Sequence, residues 1–265
     1  MSAKGPNRLF PAEQTALDTP ARRRREKGTL PRPQIVEERP AISRQRVMDH
    51  GEVFTPPGLV NDMLDLVAAE CERVDSRFLE PACGHGNFLV EVLRRRLALV
   101  DLRHKTRTQW EPNALLGLAC LYGIELLHDN VSDCRNRLQN LFAEHYSARY
   151  GKLAKPACIA AAGTIVRTNI LLGDALKMTT VGSKVYPAEP LVFTEWSLLS
   201  GGKFKCRLYE YHDLSQPPPG ALSGLFVAAS ARLTDENGKP VFIPRHIADR
   251  PPIHYLKLAE MERVR

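Results

Sequence analysis

The sequence predicts an α/β protein built on an open, mostly parallel sheet with helices on both faces. Short apolar segments that suit strands alternate along the chain with longer segments whose apolar residues recur at helical spacing, a pattern typical of parallel sheets. A glycine-rich turn joins the first strand to the next helix, and acidic residues end the following two strands. Ligands of such sheets bind beyond the carboxyl ends of the strands, so these features indicate one site at one edge.

The first elements follow from proline positions and apolar spacing. A helix should begin after Pro56 and Pro57, because proline suits a helix start and the next apolar residues recur at helical spacing. A short strand over 78–80 should lead through the glycine turn into a helix over 88–100. A further short helix is expected over 112–120, starting at its proline.

The later elements continue the alternation. A second strand is expected over 122–126, followed by a long helix that Asp129 or Asn130 could cap. A third strand is expected over 164–172 and a fourth over 191–193, adding to the same sheet. Weaker patterns indicate a turn or linker over 216–220 and strands over 225–229 and 241–243.

Charge and composition divide the chain into three regions: an arm over 1–44, a ligand-binding domain over 45–215, and an extension over 216–265 that completes or flanks the sheet. Up to Arg46 there are eleven basic and five acidic residues, while the whole chain has a net charge of only +7. Prolines interrupt the arm, and its composition predicts a disordered segment. It is either a nucleic-acid-binding arm or a solvated tail that aids solubility. Its most basic part is the run of Arg22, Arg23, Arg24 and Arg25.

Several classes of protein are disfavoured by composition. No apolar run approaches the roughly 18 residues of a membrane helix, and the polar amino-terminal segment does not resemble a secretory signal. The six cysteines form no C-x-x-C pair, and the histidines have no metal-ligand spacing. We therefore expect a cytoplasmic protein with reduced cysteines, no metal site and no membrane partner.

The glycine turn and the acids around it suggest a particular ligand shape. Gly84 and Gly86 allow a sharp bend and close approach of backbone N–H groups to a ligand. Glu80 places an anion before the turn, which favours an ammonium group over a pyrophosphate. Glu125 could accept hydrogen bonds from ribose hydroxyls, and Asp174 could hold an adenine amine. S-adenosylmethionine has this combination of groups.

The residues of the turn also resemble a known family. Adenine-specific DNA methyltransferases of bacterial restriction–modification systems carry a cofactor motif that closely resembles Glu80-Pro81-Ala82-Cys83-Gly84-His85-Gly86-Asn87-Phe88. Three further family motifs, in the same order, resemble Val53-Phe54-Thr55-Pro56, Gly123-Ile124-Glu125-Leu126 and Gly173-Asp174-Ala175-Leu176. The four motifs span about half of the chain.

This resemblance implies a class-I methyltransferase fold, a Rossmann-like doubly wound sheet, that binds S-adenosylmethionine and methylates the exocyclic amine of adenine in DNA. It assigns cofactor contacts to the matching positions, which are Phe54, Thr55, Pro56, Glu80, Pro81, Ala82, Cys83, Gly84, Gly86, Asn87, Phe88, Glu125, Leu126, Asp174 and Ala175.

The family's catalytic motif, a polar residue followed by two prolines and an aromatic residue, is missing after the fourth strand. At the corresponding place stand Glu195, which could accept a hydrogen bond from an amine, and Trp196, which could stack on a flipped base. The other interpretation is that Trp196 is a packing residue and Glu195 a surface acid.

The length beyond Leu176 leaves little room for a target-recognition domain, because 89 residues must also complete the sheet. The chain could therefore work with a restriction or specificity subunit. Two alternatives stay open: a catalytically silent cofactor-binding subunit that docks on a partner complex, and a methyltransferase that acts on RNA or protein.

Three smaller features each allow two interpretations. The Cys83 thiol is expected to pack beneath the turn rather than act as a nucleophile. His85 either touches a ligand carboxylate or points to solvent. Lys203, Lys205 and Arg207 alternate along one segment, which predicts a strand with one basic face, useful either for solubility or for phosphate contact.

Overall fold

A computed structural model describes residues 55–183, 185–215 and 246–261. The arm with Arg22–Arg25, Phe54, the linker over 216–220 and the strands expected over 225–229 and 241–243 lie outside these residues. The α-helices are α1 (Pro57–Leu66), α2 (Ala68–Cys71), α3 (Asn87–Arg103), α4 (Arg107–Ala119), α5 (His128–Tyr150), α6 (Pro156–Asn169) and α7 (Tyr211–Ser215). The strands are β1 (Phe78–Glu80), β2 (Leu121–Glu125), β3 (Ile170–Asp174), β4 (Thr179–Thr180), β5 (Val192–Leu199), β6 (Lys203–Glu210) and β7 (Ala248–His254). Short 3-10 helices cover Gly151–Leu153, Ser200–Gly202 and Tyr255–Glu260.

The first sheet is mostly parallel and has the order β1-β2-β3-β4. β1 to β3 run parallel, with Glu80 opposite Gly123 and Glu125 opposite Leu172, and the short β4 is antiparallel to β3. Every residue of β2 is buried, and α3, α4, α5 and α6 all contact this strand. Burial along a whole strand means that both faces of the sheet are covered there, as expected of an α/β protein.

The second sheet consists of β5, β6 and β7 in antiparallel order. The expectation that the segment around 191–193 adds a fourth strand to the parallel sheet is therefore wrong. β5 turns back directly into β6 through the Ser200–Gly202 helix, where Gly201 and Gly202 have φ values of 71° and 68°. This local reversal pairs two neighbouring segments at small cost in loop entropy.

The third expected strand is also corrected. Residues 156–169 form α6, and the strand begins only at Ile170. The helix has buried residues on most of its surface, so its sequence lacks the one-sided period that identifies a helix. The consecutive helix residues Thr164, Ile165 and Val166 are β-branched, and their intrinsic propensity favours a strand.

Two helix starts differ from the expectation. α4 begins at Arg107 and contains Pro112 in its interior, rather than beginning at this proline. α5 begins at His128 and has no side-chain cap from Asp129 or Asn130. The backbone N–H of Leu127 instead donates to Glu125, and Asp129 lies in the first helical turn, where an acid is favourable.

The two sheets meet through buried hydrogen bonds. Tyr122 on β2 donates its hydroxyl to the carbonyl of Thr194 on β5 at 2.9 Å. The Trp196 Nε1 donates to Asn169 Oδ1 at 2.8 Å, and the Asn169 amide nitrogen donates to the carbonyls of Ala119 and Leu121. Apolar side chains of both sheets and the helices form one core cluster. No helix within the described ranges is long and apolar enough to cross a membrane.

Candidate cofactor site at the glycine turn

The turn between β1 and α3 is built on two glycines with left-handed backbone. Gly84 has φ +50° and Gly86 has φ +86°. A Cβ at Gly86 would lie 2.6 Å from the Cys134 Sγ of α5, so the turn packs on this helix at a distance that only glycine allows. The Cys83 N–H donates to the Ile124 carbonyl at 3.0 Å, which ties the turn to β2.

Cys83 packs beneath the turn, as expected. Its Sγ fills the space beside Gly123, where an added Cβ would lie 2.9 Å from the sulfur. A hydrogen bond with Cys134, together with burial, raises the pKa of the Cys83 thiol. A protonated, buried thiol is a poor nucleophile, and this supports a packing role.

Glu125 lies behind the turn with its carboxylate committed to backbone groups. One carboxylate oxygen accepts the Gly84 N–H at 2.8 Å and the other accepts the Leu127 N–H at 2.9 Å. The residue is 9% exposed. The carboxylate therefore joins the glycine turn to the end of β2, and each oxygen keeps a further lone pair for another donor.

A cleft opens in front of the turn at the carboxyl end of β1. Its volume is about 80 Å³, and it is lined by Thr55, Glu80, Ala82, Cys83, Gly84, His85, Asn87 and Phe88. The Asn87 amide nitrogen donates to the Thr55 carbonyl at 2.9 Å. The segment before α1 and the glycine turn, 32 positions apart in sequence, thus form two walls of the same cleft.

Glu80 is the acidic group of this cleft. Burial raises the pKa of its carboxyl, and the structure gives this carboxylate no hydrogen-bond or ion-pair partner among the described residues. A half-buried acid without a partner is costly to ionise. A cationic or hydrogen-bond-donating ligand would remove that cost.

Arg137 on α5 is a residue of this site that sequence reasoning missed. One guanidinium nitrogen donates to the His85 carbonyl at 2.7 Å and to Asn87 Oδ1 at 2.9 Å, and it also contacts His85 Nδ1. His85 is only 8% exposed and lines the cleft, so it does not point to solvent. The available signal was spacing, because Arg137 follows Cys134 by one helical turn on the face that packs on the glycine turn.

The remaining expected cofactor residues lie outside the lining of the cleft. Asp174 ends β3 as expected, but its carboxylate accepts the backbone N–H groups of Leu176 and Lys177 at 3.0 Å each and pairs with the Lys177 ammonium. Lys177 also lowers the pKa of this carboxyl. The other described residues beyond the lining are Pro56, Pro81, Gly86, Glu125, Leu126 and Ala175.

The two residues considered for catalysis occupy structural positions. Trp196 is 2% exposed and is held by Asn169, so its ring offers no face to a base, and the packing interpretation replaces the stacking role. The carboxylate of Glu195 is paired with Arg77 and Arg207 and accepts the Tyr209 hydroxyl. These contacts hold Glu195 away from the lining of the cleft and explain why an acid is stable there.

Within the described ranges, no three or more metal-ligating side chains come together. In comparisons with known proteins, no family model, no curated protein and no solved structure matches this chain.

Proposed function

We propose that the protein is a methyltransferase-like protein that binds S-adenosylmethionine at the glycine turn. The observation that carries the proposal is the half-buried Glu80 carboxylate, which has no partner among the described residues and lies beside a left-handed glycine turn at the end of a parallel strand. The ammonium of the ligand would pair with Glu80. The nucleoside would extend along the ends of β2 and β3, towards Glu125 and Asp174.

Calorimetric titration of the full chain with S-adenosylmethionine tests this proposal, with ATP as a comparison ligand. Replacing Glu80 by Gln should weaken S-adenosylmethionine binding by about tenfold or more, since hydrogen bonds to charged groups contribute roughly 1.5–3 kcal/mol. Glu72→Gln removes the same charge from an exposed position and should leave the affinity unchanged. Equal affinities of wild type and Glu80→Gln, or tighter binding of ATP than of S-adenosylmethionine, would overturn the proposal.

The same Glu80→Gln variant also tests how Glu80 affects the stability of the protein without ligand. A folded-state pKa raised above the unfolded value means that ionised Glu80 destabilises the folded chain, and that this penalty disappears as the pH falls below the unfolded value of about 4.3. Glu80→Gln should therefore raise Tm at pH 7 and leave it unchanged near pH 3. A lower Tm at pH 7 would show that Glu80 stabilises the fold instead.

Glu125→Ala is a less specific probe of ligand binding, because it also removes the hydrogen bonds that Glu125 accepts from the backbone of Gly84 and Leu127.

For the reaction, we propose methyl transfer to the exocyclic amine of adenine in DNA, with a restriction or specificity subunit supplying target recognition. Incubation with radiolabelled cofactor and DNA, RNA or protein acceptors distinguishes this reaction from action on RNA or protein. Incorporation into DNA, with or without the products of neighbouring genes, supports it. If the label enters RNA or protein but not DNA, the proposed reaction is wrong and the acceptor that is labelled takes the place of DNA.

The second candidate is a catalytically silent cofactor-binding subunit that docks on a partner complex. The observation that favours it is that Glu195 and Trp196, the residues at the place of the family's catalytic motif, are engaged in the ion pairs and the core. This candidate predicts cofactor binding in the calorimeter without label incorporation into any acceptor. Methylation of DNA by the isolated chain would eliminate it.

A further inference from the structure

The outer face of the antiparallel sheet carries an excess of basic side chains. On β6 the inward residues Phe204, Cys206 and Leu208 are buried, so Lys203, Lys205, Arg207 and Tyr209 lie on the opposite, accessible face. Arg77, which directly precedes β1, joins this face through its ion pair with Glu195. We call the set of Arg77, Lys203, Lys205 and Arg207 the basic face.

Two carboxylates form ion pairs with side chains of the basic face but do not cancel its positive charge. Glu195 lies between Arg77 and Arg207, and Asp249 on β7 lies 3.5 Å from Lys205 Nζ and 3.6 Å from Arg207 Nε. Lys203 is exposed and has no carboxylate partner in the described part of the chain. The basic face thus has four cations and only two carboxylates beside it, and Arg207 is held in place by one carboxylate on each neighbouring strand.

This excess contrasts with the rest of the body of the protein. The chain has a net charge of +7, and most of it belongs to the first 46 residues. A local excess of positive charge on an almost neutral body attracts polyanions. The inner face of the sheet is already used, since β5 packs on α4 and α6.

The spacing of the basic face favours one class of polyanion. Alternate residues of a strand project to the same side at intervals of about 6.7 Å, which is similar to the separation of successive phosphates along one nucleic-acid strand. The partly exposed Tyr209 continues the same row, and aromatic residues occur together with basic residues in sheets that bind single strands. We infer that the basic face binds the backbone of single-stranded nucleic acid.

One member of the basic face, Arg77, lies at the opposite end of β1 from the cleft. Arg77 precedes the first residue of β1, and Glu80 at the other end of β1 lines the cleft. A strand of three residues spans about 10 Å. Nucleic acid on the basic face therefore binds independently of a bound cofactor.

Fluorescence anisotropy of the full chain with labelled single-stranded and duplex oligonucleotides, at several salt concentrations, tests the inference. The double variant Lys203→Glu/Lys205→Glu should bind single-stranded oligonucleotide at least tenfold more weakly than wild type. Its slope of log affinity against log salt should fall by about 1.4, because each lost phosphate contact contributes about 0.7 for single strands. The matched control Lys105→Glu/Lys152→Glu changes the net charge equally at two other lysines and should change the affinity less than threefold.

Four results would overturn the inference: no binding by wild type, equal losses in both double variants, equal displacement by polyglutamate and by unlabelled oligonucleotide, or preferential binding of duplex. Circular dichroism and the milder Lys203→Ala variant show whether a loss of binding results from unfolding. Lys203→Ala should lower the affinity in the same direction without changing the spectrum. Calorimetric titration of the double variant with S-adenosylmethionine should match wild type, so a failure of this inference and a failure of the proposed cofactor site give different results.

Discussion

At the scale of single residues, the site depends on groups whose environments are unusual. Gly86 adopts a backbone conformation that other residues avoid and packs against a sulfur atom. The partly buried carboxylate of Glu80 has no partner within the described ranges, whereas Glu125 uses both of its oxygens to hold backbone groups. Two acids that look alike in sequence thus have different roles, one facing the cleft and the other supporting its wall.

Replacing Gly86 by alanine should destabilise the protein by about 2–5 kcal/mol. Positive φ costs an alanine roughly 1–2 kcal/mol, and the new Cβ would lie 2.6 Å from Cys134 Sγ, an overpacking that costs typically 1–3 kcal/mol. Urea unfolding measures the change. Gly58→Ala is the control, because Gly58 lies in α1 with nothing within 4 Å of an added Cβ, and it should cost nothing.

A double-mutant cycle separates the two causes. In a Cys134→Ala background the Gly86→Ala change should cost less than in wild type, because the clash with sulfur is gone while the backbone strain remains. If the cost is the same in both backgrounds, the contact between Gly86 and Cys134 does not contribute.

At the scale of secondary-structure elements, hydrogen-bonding side chains on the helices connect the layers. Asn169 at the end of α6 bridges the carbonyls before and within β2 to the indole of Trp196 on β5. Arg137 connects α5 to the glycine turn in the same way. Both side chains are buried or partly buried and polar, so the loss of either set of hydrogen bonds would destabilise the folded state.

Trp196→Phe should destabilise the protein by about 1–3 kcal/mol, because it leaves the Asn169 side-chain oxygen buried without a donor. Chemical denaturation of Trp196→Phe, Asn169→Ala and the double variant measures the coupling between the two residues. We expect the double variant to be more stable than the sum of the single effects predicts. Strict additivity would mean that the bond makes no contribution.

At the scale of the whole molecule, the parallel and antiparallel sheets share one hydrophobic core. The carboxyl-terminal segment takes part in it: the hydroxyls of Tyr255 and of Tyr146 on α5 both donate to the buried Glu111 on α4. Elements that share a core and buried polar contacts unfold together.

The described part of the chain should therefore unfold in a single transition. The chain has two tryptophans, Trp110 in α4 and Trp196 in β5, so each can report on a different sheet or layer. In Trp110→Phe the fluorescence of Trp196 should follow the same urea curve as far-UV circular dichroism, and in Trp196→Phe the fluorescence of Trp110 should do so. Separate midpoints for the two probes within one variant would show that the antiparallel sheet unfolds independently.

The sequence by itself determined the features that depend on short-range patterns. The strand over 78–80, the glycine turn after it and the acids at the ends of β2 and β3 were predicted correctly, because glycine conformations, strand propensity and apolar spacing are local properties. The parallel arrangement of β1 to β3 also followed, since strands separated by helices pair in parallel.

Only the tertiary structure decided which groups meet and which strands pair. α6 was mistaken for a strand because a helix buried on most of its surface lacks a one-sided apolar period. β5 joined β6 instead of the parallel sheet, since the Ser200–Gly202 reversal brings its nearest neighbour in sequence alongside. The reach of Arg137 to the glycine turn and the burial of Trp196 depend on packing between residues far apart in the chain, which no local pattern contains.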